Sequence, residues 1–291
     1  HDQSEMLPRC SALFIDEAQD MGPSTLKLLL SLVEQSDAED SNSRSAHIFY
    51  DNAQNIYGRK TPKWTEFGLD MRGRSTIMRE SFRSTTPVTE LAINILNQLT
   101  PKDKRQDQQE LVEMGLVERT QSGNEEWLKI RYNQIGGPNP IFHSFDDRQT
   151  ELDAIFRHLK HLIKVEKISP CDICLIYNSK SVVQLLETQL KSLLSEIGVE
   201  LSVQTNRAFE KRLNTLIVTT SHSYKGYESE VVLIPCVDQY VTGDGQILAN
   251  NLYVAMTRAR SLLAIYGVNG NRDPSQILMN TIGRCVKVQS G

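Results

Sequence analysis

Short apolar runs along this chain alternate with longer amphipathic segments. The first apolar run, residues 12–15, ends in the carboxylates of Asp16 and Glu17, and a second strand-like run, residues 47–51, also ends in an acid. Continuous apolar runs of this length are typical of buried parallel strands, which deliver the residues that follow them to one edge of a sheet. We therefore expect the first acidic pair to lie at the C-terminal edge of a parallel sheet.

The same alternation predicts the remaining elements. Helices are predicted over residues 24–35, 86–99, 148–164, 180–197 and 252–260, and strands over residues 75–80, 140–145, 172–177, 199–204, 216–220, 230–235 and 262–266. Residues 101–126 are charged and rich in glutamine and are predicted as surface helix and loop, and the Gly-Gly-Pro at 136–138 as a turn. Strands that alternate with helices predict an α/β fold with mainly parallel sheets.

Composition narrows the class of protein. The chain has 291 residues, 39% hydrophobic and 23% charged, with a net charge of −4. This composition is typical of one or two folded domains and excludes a globally basic nucleic-acid binder, although it allows a local basic groove. The longest apolar run, near residues 26–33, is too short to span a bilayer, and no signal peptide opens the chain. The five widely spaced cysteines favour a reducing intracellular compartment, cytoplasmic or nucleoid-associated.

Two cysteines and two histidines have spacings that could indicate metal sites. Cys171 and Cys174 form a lone C-x-x-C at the start of an apolar strand, which favours core thiols over a zinc or redox pair. His158 and His161 lie three residues apart on a predicted helix without a third ligand at matching spacing. A partly exposed helix face is the favoured interpretation.

The segment DEAQD, residues 16–20, carries the clearest candidate chemistry. Phosphoryl transfer needs a carboxylate that holds Mg²⁺ near the β- and γ-phosphates and a group that orients the attacking water. Asp16 and Glu17 are adjacent and could divide these two tasks. Acids at strand ends also occur as ordinary caps and loops, so the segment alone leaves both interpretations open.

Four more motifs follow DEAQD in a fixed order. They are DNAQNIY at 51–57, ESFRST at 80–85, TTSHSYKGYES at 219–229 and LYVAMTRAR at 252–260. This order resembles motifs II to VI of the superfamily 1 DNA helicases of the UvrD/Rep type, over about residues 13–266. The resemblance implies RecA-like (P-loop NTPase) lobes, ATP and Mg²⁺ as cofactors, and single-stranded DNA as partner.

The resemblance also implies a role for each matching residue. ATP would bind between two lobes, and the two arginines would stabilise charge on its γ-phosphate. The implied nucleotide roles are the Mg²⁺ ligand Asp16, the catalytic base Glu17, the γ-phosphate sensor Gln54, the adenine-stacking Phe82, the arginine fingers Arg83 and Arg258, and the ribose-binding Glu228.

The implied contacts with single-stranded DNA are Tyr57, Thr220 and His222. Stacking of bases on an aromatic ring such as that of Tyr57 is tolerant of sequence. Without the motif order, Phe82 would be interpreted as a core aromatic, His222 as a hydrogen-bonded strand-end histidine and Glu228 as a solvated loop charge.

The chain departs from the family pattern in three places. No G-x-x-x-x-G-K-[ST] phosphate loop occurs, the interval between motifs IV and V is too short for a large accessory domain, and Arg59 and Lys60 stand where a second motif III aromatic and an arginine are expected. We therefore expect residues 1–84 to be the C-terminal remnant of an incomplete first lobe and residues 85–291 to be the second lobe. The chain alone is expected to be inactive.

These observations predict the C-terminal part of an ATP-dependent DNA helicase or translocase, of the kind used in DNA repair. Two alternatives stay open. The chain could be a non-catalytic helicase-like module that binds a protein or DNA, or it could belong to an RNA-directed helicase. Because the sequence shows no evident reader of the 2′-hydroxyl, competition between single-stranded DNA and RNA for binding would separate the last alternative.

Overall fold

The computed structural model describes residues 8–34, 44–50, 64–67, 69, 74, 84–101, 105, 111–113, 115–122, 125–131, 135–205, 209–270 and 273–290. The chain divides into two compact units between Met78 and Arg79. This division lies close to the predicted boundary at residue 84, and the assignment of each unit to a particular lobe stays a prediction.

The first unit is built around a pair of parallel strands. Strand β1 (Ala12–Ile15) pairs in parallel with β2 (Ser45–Ile48), and helix α1 (Pro23–Ser31) connects them. Ile15 and Leu26 are buried together with Ala18 in a small core. The helix begins with Pro23, which suits the first turn because its missing N–H needs no partner there. It ends at Ser31, several residues before the predicted end.

Strand β1 is parallel, as predicted, but it is not buried on both faces. Only Ile15 of its four residues is buried, and Phe14 is 68% exposed with its ring stacked on that of His47. The prediction of a fully buried strand is therefore wrong. Within the described residues, the core that contains Leu26 of α1 covers the Ile15 side of the strand, and the Phe14 side lies open.

The second unit begins with helix α2 (Thr86–Leu99), whose bounds match the prediction. A β-hairpin of β3 (Val117–Ser122) and β4 (Glu125–Ile130) follows, and Val117, Leu128 and Ile130 pack against Ile93 of the helix. The prediction of helix and loop over residues 101–126 is wrong at this hairpin. Its first strand carries one apolar residue among polar ones, so no alternating pattern marks it.

Six parallel strands form the main sheet of the second unit, in the order β5-β10-β9-β6-β8-β7. The strands are β5 (Ile141–Phe145), β6 (Ile173–Tyr177), β7 (Glu200–Val203), β8 (Thr215–Thr220), β9 (Ser229–Ile234) and β10 (Ala259–Val268). This arrangement confirms the predicted α/β class. The Gly-Gly-Pro before β5 lies in an irregular segment, and a Cβ added to Gly137 would clash with the side chain of Thr85.

Helices cover both faces of this sheet. The helices are α3 (Arg148–Lys164), α4 (Lys180–Glu196), α5 (Ala249–Met256) and α6 (Asp273–Ser290). One core joins α3 and α4 to the sheet, and another joins α2, α5 and α6 to its opposite face. Coverage of both faces is what a parallel sheet requires, because its strands are apolar on both sides. None of the described helices is long and apolar enough to cross a bilayer.

Two features at the end of the chain differ from the sequence predictions. Helix α5 ends at Met256, and β10 begins at Ala259, so Arg258 lies in a turn and not on the predicted helix 252–260. Helix α6 was not expected from the sequence pattern, although it contributes Leu278 and Ile282 to the core.

Candidate functional site

The acidic pair Asp16–Glu17 lies directly after the last residue of β1. The chain is held there by two main-chain bonds in which Phe49 donates to the carbonyl of Ile15 and Ala18 donates to the carbonyl of Phe49, at 2.8 and 3.0 Å. Asp16 is exposed, and its Oδ1 accepts a hydrogen bond from the N–H of Glu17 at 2.9 Å. The pair therefore stands at the C-terminal edge of the strand, as the sequence predicts.

The backbone of Glu17 adopts a left-handed conformation, with φ of 53° and ψ of 39°. This conformation is unfavourable for a residue with a Cβ and is found preferentially at functional sites. The side chain of Glu17 is half-buried, and its Oε2 accepts a hydrogen bond from Nε2 of the buried Gln19. Gln19 thus orients Glu17, a positioning role that no spacing rule in the sequence indicates.

In the second unit, the connection between β8 and β9 crosses the face of the sheet. Thr220, at the end of β8, lies level with Tyr177 at the C-terminal end of β6, whereas Val231 near the start of β9 lies level with Ile173 at its N-terminal end. Residues 221–228 therefore run from the C-terminal ends of the strands back to their N-terminal ends. Of the predicted contacts with DNA, Thr220 lies directly before this segment and His222 lies near its start, and Glu228 ends it.

The hydroxyl of Thr220 takes part in local structure. Its Oγ1 accepts a hydrogen bond from the N–H of Ser223 at 3.2 Å and donates to the Ser223 hydroxyl at 3.1 Å. This bond caps the turn that begins after β8. His222, two residues on, is exposed. Of these two predicted DNA contacts, His222 is exposed and Thr220 is half-buried.

Arg258 is almost completely buried, with 4% of its surface exposed. Its Nε donates to the carbonyl of Val254 at 3.1 Å, and its Nη1 donates to the carbonyl of Tyr227 at 3.4 Å. The carbonyl of Arg258 accepts from the N–H of Ser229 at 3.1 Å. In this structure the predicted arginine finger therefore joins motif VI to the end of motif V.

The end of motif IV is bound to the same turn. The hydroxyl of Ser84 donates to the carbonyl of Thr257 at 3.4 Å, and the N–H of Thr85 donates to the carbonyl of Arg260 at 2.9 Å. Both residues are buried. Motifs IV, V and VI, which are far apart in the sequence, thus meet around residues 257–260. Four predicted site residues, Gln54, Tyr57, Phe82 and Arg83, lie outside the described residues.

Glu228 is half-buried and follows a group of three aromatic rings. Phe209 lies edge-on to both Tyr224 and Tyr227, with ring centroids 5.0 and 4.6 Å apart, and the two tyrosine rings are stacked at 5.8 Å. The Tyr224 hydroxyl donates to the carbonyl of Glu228 at 3.2 Å. Burial raises the pKa of Tyr224, so this hydroxyl stays protonated and able to donate. Sequence reasoning did not identify this aromatic group.

The residue of the acidic pair that could hold a magnesium ion is Asp16. Magnesium binds through one or two carboxylates and keeps several waters, so an exposed Asp16 at a strand end is a suitable ligand. Among the described residues, no group of three or more His, Cys, Asp or Glu side chains could hold a metal. The predicted core role of Cys174 is confirmed, because it is buried and burial raises its pKa, whereas Cys171 is half-buried beside Ser169.

Comparison with known proteins gives a family model and a large number of solved structures, two of which follow. A family model described as an AAA domain matches residues 73–270. The C-terminal domain of a possible DNA helicase from Lactobacillus plantarum WCFS1 is 18% identical, with a TM-score of 0.41 over 69% of this chain and 96% of that one. The Arterivirus nonstructural protein 10 (helicase) is 14% identical, with a TM-score of 0.40 over 94% of this chain and 43% of that one. No curated protein gives a significant match.

Proposed function

This chain belongs to the AAA domain family whose model matches residues 73–270, and from that premise we propose that it is part of an ATP-dependent helicase or translocase of the UvrD/Rep type that acts on single-stranded DNA. The observation that carries the proposal is the acidic pair after β1. Asp16 is accessible to an ion, and the backbone strain at Glu17 and its bond from Gln19 hold the adjacent carboxylate in one orientation.

In the proposed ATP hydrolysis the two acids have different roles. When bound, Mg²⁺ would neutralise charge on the phosphates of ATP. Asp16 would hold that ion, and Glu17 would orient the attacking water and accept its proton. A general base of this kind contributes about 10²- to 10⁴-fold to a rate. Gln19 would hold the Glu17 carboxylate in its orientation toward the attacking water while the proton is transferred.

The second unit would supply further groups for the phosphates, the ribose and the DNA. In the proposal its Arg83 and Arg258 contact the γ-phosphate, its Phe82 stacks on adenine and its Glu228 binds the ribose. The DNA contacts of this unit would be Thr220 and His222, whereas the γ-phosphate sensor Gln54 and the DNA contact Tyr57 belong to the first unit. Arg258 would have to exchange its bond with the Tyr227 carbonyl for a phosphate oxygen. Such an exchange would couple the state of the nucleotide to the segment that carries the strand contacts, because Tyr227 belongs to that segment.

The test is ATP turnover by the natural full-length protein with and without single-stranded DNA. We expect Glu17→Gln to lower the stimulated turnover at least about 100-fold while ADP binding and the melting temperature stay close to wild type. The matched control is Glu34→Gln, which changes an exposed acid of the same unit. Unchanged turnover in the Glu17 variant would exclude the proposed role of the acidic pair.

We also propose that residues 1–291 alone turn over no ATP, because their sequence holds no phosphate loop. Turnover by this chain that disappears in Glu17→Gln would contradict this statement. The RNA-directed alternative is tested in the same assay, by stimulation with an RNA strand of matched sequence in place of DNA.

One observation favours the non-catalytic alternative. A scaffold would have a structural reason to keep Arg258, since its buried guanidinium donates to main-chain carbonyls of motifs V and VI. That alternative predicts that the full-length protein binds a strand but shows no turnover stimulated by it.

A further inference from the structure

Tyr227 presents an aromatic ring to solvent at the end of the segment that crosses the sheet. Its side chain is 39% exposed, whereas Tyr224, three residues earlier, is fully buried. Gly226, with φ of +86°, precedes it, and the N–H of Tyr227 donates to the carbonyl of Tyr224 at 3.0 Å. The positive φ turns the chain so that the two tyrosines lie side by side while only the second reaches the surface.

The ring of Tyr227 is held in place by its neighbours. Tyr224 stacks on it at 25° between ring planes, and Phe209 meets it edge-on from the β7–β8 connection. Its own carbonyl accepts the bond from the buried Arg258. Aromatic pairs of this geometry stabilise the position of the ring beyond what its burial contributes. The partly exposed ring is therefore held in place by two other rings.

Positive charge lies beside this ring. Lys211 is exposed, and its ammonium donates to the carbonyl of Glu228 at 3.4 Å, which brings it to the residue after Tyr227. Lys225 lies two residues before Tyr227. Arg212 contacts Glu210 and Arg260 contacts Glu230, and the acidic residue Glu228, which is half-buried, directly follows Tyr227. An exposed aromatic ring with lysines near it suits a ligand that carries both phosphates and planar rings.

The length of residues 221–228 favours a single-stranded nucleic acid over a mononucleotide as the ligand. Residues 221–228 span the height of a six-residue strand, about 17 Å. His222 is exposed near one end and Tyr227 near the other. A polymer of nucleotides can contact both ends at once, with phosphates near the lysines and a base on the ring.

We propose that Tyr227, backed by Tyr224 and Phe209, stacks on a base of single-stranded nucleic acid. This inference rests on the proposed function, because it places a new contact on the strand that the helicase or translocase would follow. Stacking on an aromatic ring does not depend on base identity, as translocation along any sequence requires. The resemblance to the helicase motifs assigns no role to Tyr227.

The experiment measures binding of the full-length protein to a labelled oligothymidylate and to an abasic strand of the same length, by fluorescence anisotropy. Tyr227→Leu keeps apolar bulk against Phe209 but removes the aromatic face. It should weaken binding to oligothymidylate about tenfold and leave the abasic strand unaffected. Tyr227→Phe should bind both strands like wild type. Phe14→Leu, which removes an exposed ring elsewhere, is the matched control and should change neither affinity.

Several outcomes would overturn the proposal. Equal affinity of Tyr227→Leu and wild type for oligothymidylate would do so, as would an equal loss on both strands, or a loss of ADP binding with strand binding intact. Melting curves of the leucine and phenylalanine variants separate lost stacking from lost folding. If wild type binds no strand, the proposed function falls with this inference; if it binds and Tyr227→Leu binds equally, only this inference falls.

Discussion

His158 illustrates how one side chain can link stability to pH in this fold. Its Nδ1 is hydrogen-bonded to the hydroxyl of Tyr266, which is buried on β10. Burial lowers the pKa of His158 below its ordinary 6.5, and the neighbouring His143 and His161 add to this effect. The sequence pattern indicated only a partly exposed helix face. The contact with Tyr266 depends on how α3 packs on the sheet.

The lowered pKa gives a direction for the pH dependence of stability. The unfolded chain binds a proton at this site more readily than the folded chain, so the free energy of unfolding falls as pH drops below 6.5. We expect His158→Gln, which keeps a polar group beside Tyr266 but cannot titrate, to lose less stability between pH 7.5 and 5.5 than wild type. Urea unfolding at the two pH values measures this difference.

The control for His158 is Lys160→Gln, two residues later on the same helix. Lys160 is exposed. Its replacement should leave the pH dependence of stability close to that of wild type. An identical loss of stability on acidification in the wild type and the His158 variant would show that His158 has no part in it.

Among the elements, the β3–β4 hairpin is joined to α2 by a buried asparagine. Asn94 is fully buried, its Nδ2 donates to the carbonyl of Leu128 and its Oδ1 accepts from the N–H of Leu128, both at 2.8 Å. The side-chain amide thereby takes the place of a neighbouring strand on the open side of β4. Trp127 adds a bond from its Nε1 to Glu90 at 2.7 Å.

We expect Asn94→Leu to destabilise the protein by about 2–4 kcal/mol, because it leaves a buried N–H and a buried carbonyl without partners. Gln98→Leu is the control, since Gln98 lies one turn later on the same helix and makes only a long bond, 3.4 Å, to the carbonyl of Glu126. Its effect should stay within about 0.5 kcal/mol. Urea unfolding gives both values, and equal effects would contradict the role assigned to Asn94.

Charged side chains also join elements that lie far apart in the sequence. Arg148 at the start of α3 contacts Glu151 and, at 2.6 Å, Asp238 after β9. Glu151 is fully buried and accepts the N–H of Cys236 at 2.7 Å, while Asp238 accepts the N–H of Val268 at the end of β10. This network fixes α3 to the C-terminal edge of two strands. Removal of one partner from a buried ion pair lowers the free energy of unfolding by more than the intact pair adds to it, because the remaining charge stays buried.

At the scale of the whole molecule, the helices that bury both faces of the six-stranded sheet belong to the second unit itself. Both faces of the six strands are covered by helices of the same unit, and both cores lie within residues 79–291. We expect residues 79–291 expressed alone to unfold in one cooperative transition, with near-ultraviolet circular dichroism typical of fixed aromatic packing. A gradual melt with exposed apolar surface that binds a hydrophobic dye would contradict this expectation.

The sequence by itself determined the α/β class, the bounds of helices such as α2 and α3, and the position of the acidic pair after β1. Local apolar periodicity and strand-end chemistry carry this information, because they depend on residues close together in the chain. The chemical roles of Asp16, Glu17 and the other motif residues stay predictions.

Only the tertiary structure decided which residues meet. The hairpin strand β3 has a polar sequence and exists because β4 and α2 bury Val117. The placement of Arg258 in a turn, buried against the carbonyl of Tyr227, and the exposed ring of Tyr227 beside Phe209 follow from contacts between distant segments. Such contacts leave no periodic signal, because the free energy that selects them comes from packing and paired polar groups, and both of these form only when the sheet is assembled.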